Sequence, residues 1–403
     1  MLQRPRRNCV GAAMGVIALH LRPGLGIGPF SIGMPICDAF ARIEEQPDIY
    51  DVVHVKYSDE DPLELDIVLS FPDHGFHLRF DPVSQRLRLI EIFDVKRLQI
   101  CYATSLIGGP STPATFVAVY ALFGPTFPGM YDKDRAVYNL FYPGLSFTFP
   151  VPTKYTECFR NGEAELPLEF PDGTTPITSR ICIYDSSTDS KVGVGSSLRK
   201  ASVPPLPASS LYMEEVYAKL GEEVRFTVGG QHLCFGASPQ DVWTVLGRPC
   251  AIHKKEVDQM GIHCASDDHQ LRTTLSGDYF YNYFTRGFDI LFDGKTHTIK
   301  KFILHSNYPG HADFNSYSKC NFIISNSDYD GSFQNEVVAS KCSITPSTKW
   351  EQVKEILGEC GQAAIQVHGS SSPFGSTSVY GYPNVAFEVM KNGYIATVTL
   401  FKS

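Results

Sequence analysis

Three segments of the chain carry the same helix signature, and this recurrence constrains the fold more than any other feature. Each opens with a hydroxyl residue beside proline, at Thr112-Pro113, Ser238-Pro239 and Thr345-Pro346, and each ends on an apolar residue followed by glycine. The hydroxyl can accept from the free N–H groups of a first turn, proline suits that turn, and glycine takes the left-handed conformation that stops a helix. Helices ending at Gly124, Gly247 and Gly358 are therefore expected. Counting back from Phe123, Leu246 and Leu357, the same offset falls on Val119, Val242 and Val353, and Leu122, Val245 and Ile356 extend the stripe. Such a stripe faces a core. The two tryptophans, Trp243 and Trp350, are read as part of that core face.

Downstream of each helix comes an aromatic residue, a turn residue and then strict alternation. The stretches are Tyr142 to Phe149 with Gly144, Phe284 to Phe292 with Gly287, and Tyr382 to Val389 with Asn384. Period-two alternation means a strand with one buried face. Partner strands follow two of them, at His297 to Leu304 and Tyr394 to Leu400. The N-terminal segment fits more loosely. A strand from Val16 to Leu21 leads to Gly33-Met34-Pro35, which opens a helix through Ile36, Phe40 and Ile43. Leu63 to Phe71, Gly75 to Phe80 and Arg86 to Phe93 read as an antiparallel meander.

The predicted fold class is α+β, with about four divergent repeats of a helix plus antiparallel sheet unit, arranged in two halves. Residues 1–150 form the N-terminal half, with units at about 16–95 and 107–150, and residues 224–403 form the C-terminal half, with units at about 224–322 and 344–403. Residues 151–223 are read as a β-rich insertion, with strands near Leu166 to Phe170 and Arg180 to Tyr184. Its Pro-rich end, Val203 to Ser210, reads as a linker.

Composition narrows the function. Charged residues make up 19% and hydrophobic ones 43%, which excludes disorder for most of the chain. The 35 basic and 43 acidic residues leave a net charge of −8 without a long block of either sign, so no nucleic-acid partner is expected. Arg4, Arg6 and Arg7 precede the first acidic residue, Asp38, in the manner of a transit peptide, but the strand at Val16 to Leu21 argues against removal. No run of eighteen apolar residues occurs, so no spanning helix is expected. Eleven cysteines without a Cys-x-x-Cys pair read as reduced thiols of a cytoplasmic chain.

A search for catalytic chemistry finds no Gly-x-Ser-x-Gly elbow, no His-Glu-x-x-His helix and no phosphate-cradling loop. No catalytic, cofactor-binding or metal residue is assigned, and no cofactor or small-molecule substrate is expected. Alternation turns His77 outward beside Arg79, which separates it from His74 as a metal pair. Asn326, Asp328, Asp330 and Gly331 copy part of a calcium loop, yet position twelve is Val337 and Glu336 falls one place short, so Asn326 to Ala339 reads as a polar surface loop. The aromatic run Tyr279 to Phe284 reads as a packed hairpin.

One segment stands out as a surface candidate. The stretch His305 to Tyr317 leaves a strand and mixes aromatics, amides and histidines, as binding surfaces do. His305, Asn307, Tyr308, His311, Asp313, Phe314, Asn315 and Tyr317 are the partner-binding candidates. A non-catalytic scaffold is the leading reading. The alternatives are an enzyme with a dispersed active site, a hydrolase or transferase, and a direct lipid-binding module; the basic amphipathic helix expected of the last is missing.

The chain resembles the phagosome assembly factor family, formerly an uncharacterised lin-10-like family. The resemblance rests on Ile27 to Phe30, Ser70 to Phe80, Gly124 to Gly129, Gly277 to Phe284 and Tyr308 to Phe314, and its wording is similar to plant members. What the resemblance implies is a role in autophagy. It further implies pairing with a WD-repeat protein of the breast-carcinoma-amplified-sequence type, recruitment to the phagophore assembly site, and membrane contact only through that partner. It attaches no enzymatic activity.

Overall fold

The computed structural model describes residues 16–126, 128–159, 165–187, 201–255, 277–325, 343–367 and 376–403. The loop Asn326 to Ala339 and the arginines Arg4, Arg6 and Arg7 lie outside the described residues. The chain divides into two compact units, Met1–Pro205 and Leu206–Ser403. This boundary falls inside the Pro-rich stretch Val203 to Ser210.

In the first unit, β1 (Ala18–Arg22), β2 (Gly26–Ile27) and β3 (Phe30–Ser31) lead into α1 (Ile36–Glu44), and a meander follows of β4 (His54–Lys56), β5 (Ile67–Phe71), β6 (Phe76–Phe80) and β7 (Leu87–Ile92). A second pass is built alike. It runs β8 (Gln99–Tyr102), β9 (Ser105–Gly108), α2 (Phe116–Phe123), then β10 (Met130–Asp132), β11 (Val137–Tyr142), β12 (Leu145–Pro150) and β13 (Arg180–Tyr184). The passes join twice. β1 pairs parallel with β8, giving a five-stranded sheet of order β3-β2-β1-β8-β9. β7 pairs antiparallel with β13, giving an eight-stranded sheet of order β4-β5-β6-β7-β13-β12-β11-β10.

The second unit has the same plan. Its first pass is β14 (Glu215–Lys219), β15 (Glu223–Phe226), β16 (His232–Cys234), α3 (Pro239–Leu246), β17 (Ala251–Lys254), β18 (Tyr279–Tyr283), β19 (Phe288–Phe292) and β20 (Ile299–His305). Its second is β21 (Asn321–Ser325), β22 (Ser343–Ile344), α4 (Trp350–Leu357), β23 (Ala364–Val367), β24 (Ser376–Tyr382), β25 (Val385–Val389) and β26 (Ile395–Phe401). β14 pairs parallel with β21, and β20 antiparallel with β26, so the sheet orders are β16-β15-β14-β21-β22 and β17-β18-β19-β20-β26-β25-β24-β23. The architecture is mixed α+β and dominated by antiparallel sheet.

Local chemistry explains the helices. Ser238 accepts from the Asp241 N–H while the Asp241 carboxylate receives the Ser238 N–H, a reciprocal capping box with Pro239 in the first turn. The other two helices start later than their hydroxyl-proline pairs suggest. Thr115 caps α2 through the Ala118 N–H, and α4 begins at Trp350 behind Lys349. All three end on the glycines expected, with φ near +75 to +85 at Gly124, Gly247 and Gly358. Val119, Val242 and Val353 are fully buried at 0% exposure.

Trp350 is buried, but Trp243 is 43% exposed, contrary to its reading as core. It lies one residue beyond Val242, about 100° around the helix and away from the buried stripe. Leu166 to Phe170 forms no strand. The stretch 151–223, set apart in the sequence as an insertion and linker, contributes β13 to the larger sheet of the first unit and β14 to the smaller sheet of the second.

Each meander turns on a pair of rings five residues apart. The pairs are Phe71 with Phe76, Tyr142 with Phe147, Tyr283 with Phe288 and Tyr382 with Phe387, at centroid distances of 4.3, 6.1, 5.3 and 6.1 Å. In the second unit they join Phe226, Val242, Phe302, Phe322 and Val353 in one apolar cluster. The helix is held to its sheet by backbone as well. Pro35, Thr115 and Lys349, each just before its helix, bridge to Arg86, Ile177 and Tyr394, and Ile299 N–H donates to the Ala237 carbonyl at 3.0 Å in the remaining pass.

Candidate functional site

The eight-stranded sheet of the second unit buries Phe288, Ile290 and Phe292 on one face, so alternation turns Asp289 to the other. Strand register then lines up a polar row. Asn282 stands opposite Asp289, His305 opposite Thr397, and Thr397 opposite Glu388. These groups are buried, and the segment from Ser306 to Lys319, which connects β20 to β21, packs against them through His311 and Tyr317.

Asp289 is the centre of one cluster. Its carboxylate accepts from the Asn282 amide at 2.8 Å and the Tyr317 hydroxyl at 2.7 Å, and His305 Nε2 lies 3.1 Å away. Tyr317 stacks flat on the His305 ring at 3.7 Å. Burial, then the adjacent Asp289 charge, pushes the Tyr317 hydroxyl well above its ordinary range, so it stays a donor. His253 Nδ1 extends the chain to Asn282 Oδ1 at 2.6 Å.

Glu388 is the centre of the other. His311 Nε2 lies 3.1 Å from Oε1, and the hydroxyls of Thr377 and Thr397 donate to the two carboxylate oxygens at 2.7 and 2.8 Å. Burial alone would raise this carboxyl, yet these donors hold it down to about 2. The Asp313 N–H donates to His311 Nδ1 at 3.3 Å, which leaves Nε2 as the nitrogen that donates to Glu388.

The loop closes on its own backbone. Asn307 and Asn315 both take left-handed φ, 54 and 70, which asparagine tolerates, and the Asn315 N–H donates to Asn307 Oδ1 at 2.8 Å. Tyr308 drives its ring against Tyr394 and donates its hydroxyl to the Pro346 carbonyl at 2.7 Å. At the return end, Ser318 N–H donates to the Phe284 carbonyl and Cys320 N–H to the His305 carbonyl.

The eight candidates therefore do not form one exposed surface. His305, Asn307, Tyr308 and His311 are buried, with Tyr308 only 3% exposed; Phe314, Asn315 and Tyr317 are half-buried and Asp313 is exposed. The expectation of a solvent-facing loop fails because its polar groups find partners on distant strands. Asn282, Asp289, Thr377, Glu388 and Thr397 were missed, since a polar residue alternating with apolar ones reads as the wet face of a strand.

Among the described residues, His305, His311 and Asp313 do not gather as a metal cluster; His305 contacts Asp289 and His311 contacts Glu388. His74 likewise contacts the Ile49 carbonyl at 2.7 Å rather than His77. Among the described residues no helix is long and apolar enough to cross a membrane.

A family model described as Phagosome assembly factor 1 matches residues 26–401. A PHAF1 protein of Arabidopsis thaliana is 73% identical, covering 100% of this chain and 97% of that relative. PHAF1 proteins of Drosophila melanogaster and Caenorhabditis elegans are 35% and 30% identical, covering 96% and 92% of this chain and 95% and 90% of theirs. No solved structure matches.

Proposed function

Because the chain belongs to the Phagosome assembly factor 1 family, we propose that it is a non-catalytic scaffold in autophagy. On this reading it pairs with a WD-repeat protein of the breast-carcinoma-amplified-sequence type and is recruited with it from the cytoplasm to the phagophore assembly site. Membrane contact is then indirect. The family's description is that of an assembly factor and not of an enzyme.

The observation that carries the scaffold reading is the fate of the ionisable groups. His305, Asp289, His311 and Glu388 bind one another and build a covered loop, an arrangement that favours a fixed surface over chemistry on a substrate. The outer face of that loop, the exposed Asp313 with the half-buried Phe314, Asn315 and Tyr317, is the proposed contact with the partner. Its buried members, His305, Asn307, Tyr308 and His311, act by holding it in shape.

The matched sheet orders support reading the two passes of each unit as divergent copies of one helix-plus-sheet element, four in all. Affinity purification of the full chain from cells tests the function. The proposal expects a WD-repeat protein recovered in near-equal amount. Recovery of the chain alone would overturn it.

A further inference from the structure

The edge of the smaller sheet in the second unit carries a group that the sequence does not advertise. Among the described residues β16 is an edge strand paired only with β15, and its residues His232 and Cys234 are two apart, so both side chains leave the same face. The antiparallel register sets Glu223 directly opposite Cys234, and Arg225 opposite His232. The ligand atoms of Glu223, His232 and Cys234 all lie within 4.8 Å of one another. His232 and Cys234 are exposed and Glu223 is half-buried.

We propose that Glu223, His232 and Cys234 form a binding site for a divalent cation of the zinc type. Sulfur, imidazole nitrogen and carboxylate oxygen are together the donor set of a borderline-soft ion; calcium and magnesium prefer oxygen alone. Three protein ligands leave the fourth tetrahedral position to water on the open side of the strand. Two strands already fix the donors at adjacent positions, so binding needs rotamer changes and no backbone rearrangement. On binding, the Cys234 thiol gives its proton to solvent and the thiolate ligates the ion.

The positive group nearest the carboxylate is Arg225, 3.5 Å from Glu223 Oε1 on a long, largely exposed side chain. It balances Glu223 in the absence of an ion and can swing clear when one binds. The corresponding hairpin of the first unit pairs Gly26 with Ser31, which supplies no such donors, so among the described residues the site has no counterpart there.

The test uses the full chain, with cobalt(II) as spectroscopic probe and zinc as competitor. The wild type should bind one ion at micromolar free metal with a sulfur-to-cobalt absorption, and zinc should displace it. His232→Ala, Cys234→Ser and Glu223→Gln should each weaken binding by at least the roughly tenfold that loss of even an outer partner costs. Cys250→Ser, an exposed cysteine elsewhere, should change nothing. No cobalt signal in the wild type, or an undiminished signal in the His232 and Cys234 variants, would overturn the assignment.

Discussion

The hydroxyl of Tyr283 donates to the carbonyl of Gly247 at 2.9 Å, tying the second strand of a meander to the end of the helix that packs on it. The same bond joins Tyr142 to Gly124 at 2.9 Å and Tyr382 to Gly358 at 2.7 Å. Carbonyls at a helix end have no helical N–H to accept from, so in each case the sheet supplies the cap. Burial raises the pKa of both Tyr142 and Tyr283, which keeps them protonated donors. In the first pass of the chain Phe71 stands at this place without a hydroxyl, and α1 ends on Glu45 in a right-handed conformation instead of on glycine.

Tyr283→Phe removes that bond and leaves a carbonyl without its donor, at a cost of about 1 kcal/mol. Tyr382→Phe should cost less, because its bond is exposed and water can replace the hydroxyl. Urea midpoints of the two variants check the order. Midpoints equal to the wild type's in both variants would mean that the tyrosines contribute only their rings.

Two glycines with the same φ should respond differently to alanine. Gly247 has φ +77 and ψ −167, a region that essentially only glycine occupies, with nothing within 4 Å of a new Cβ, so Gly247→Ala carries backbone strain alone, about 2 kcal/mol. Gly287 has φ +79, and its Cβ would stand 2.3 Å from the Ser318 carbonyl oxygen and 2.7 Å from the Cys320 nitrogen. Backbone would have to move. Gly287→Ala should lose about 3 kcal/mol or more, read in the same unfolding experiment.

Local patterns carried the helices and individual strands. Val119, Val242 and Val353 repeat at one offset because a helix has a fixed period, and all three are buried. The periodicity does not say how wide the buried face is, and there Trp243 was misread. Nor does it show that β1 runs beside β8 or β7 beside β13, because those pairings join residues far apart in sequence. The loop at His305 was marked by its composition, but its burial depends on Asp289 and Glu388, whose strands fold beneath it.

Acid should reveal the Glu388 cluster. A carboxyl held from 4.5 down to about 2 contributes about 3 kcal/mol that is fully present above pH 4.5 and lost as the pH falls towards 2. Glu388→Gln should lower stability at pH 7 and flatten the decline below pH 4.5. Unfolding midpoints taken across that range decide it, and parallel wild-type and variant curves would contradict the assignment.

The most direct measurement separates the two sides of the Ser306 to Lys319 segment. Wild type, the surface double variant Asp313→Arg with Phe314→Ala, and the buried variant Tyr308→Ala are compared for thermal stability and for recovery of the proposed WD-repeat partner from cells. The surface variant should lose less stability than the buried one, because the Phe314 ring is only half-buried, and should lose partner binding by about tenfold or more, since interface energy concentrates in a few anchors. Tyr308→Ala should lose about 3 kcal/mol of stability, because it empties a packed site and strips the Pro346 carbonyl of its donor. Full partner recovery by the surface variant would contradict the proposed contact.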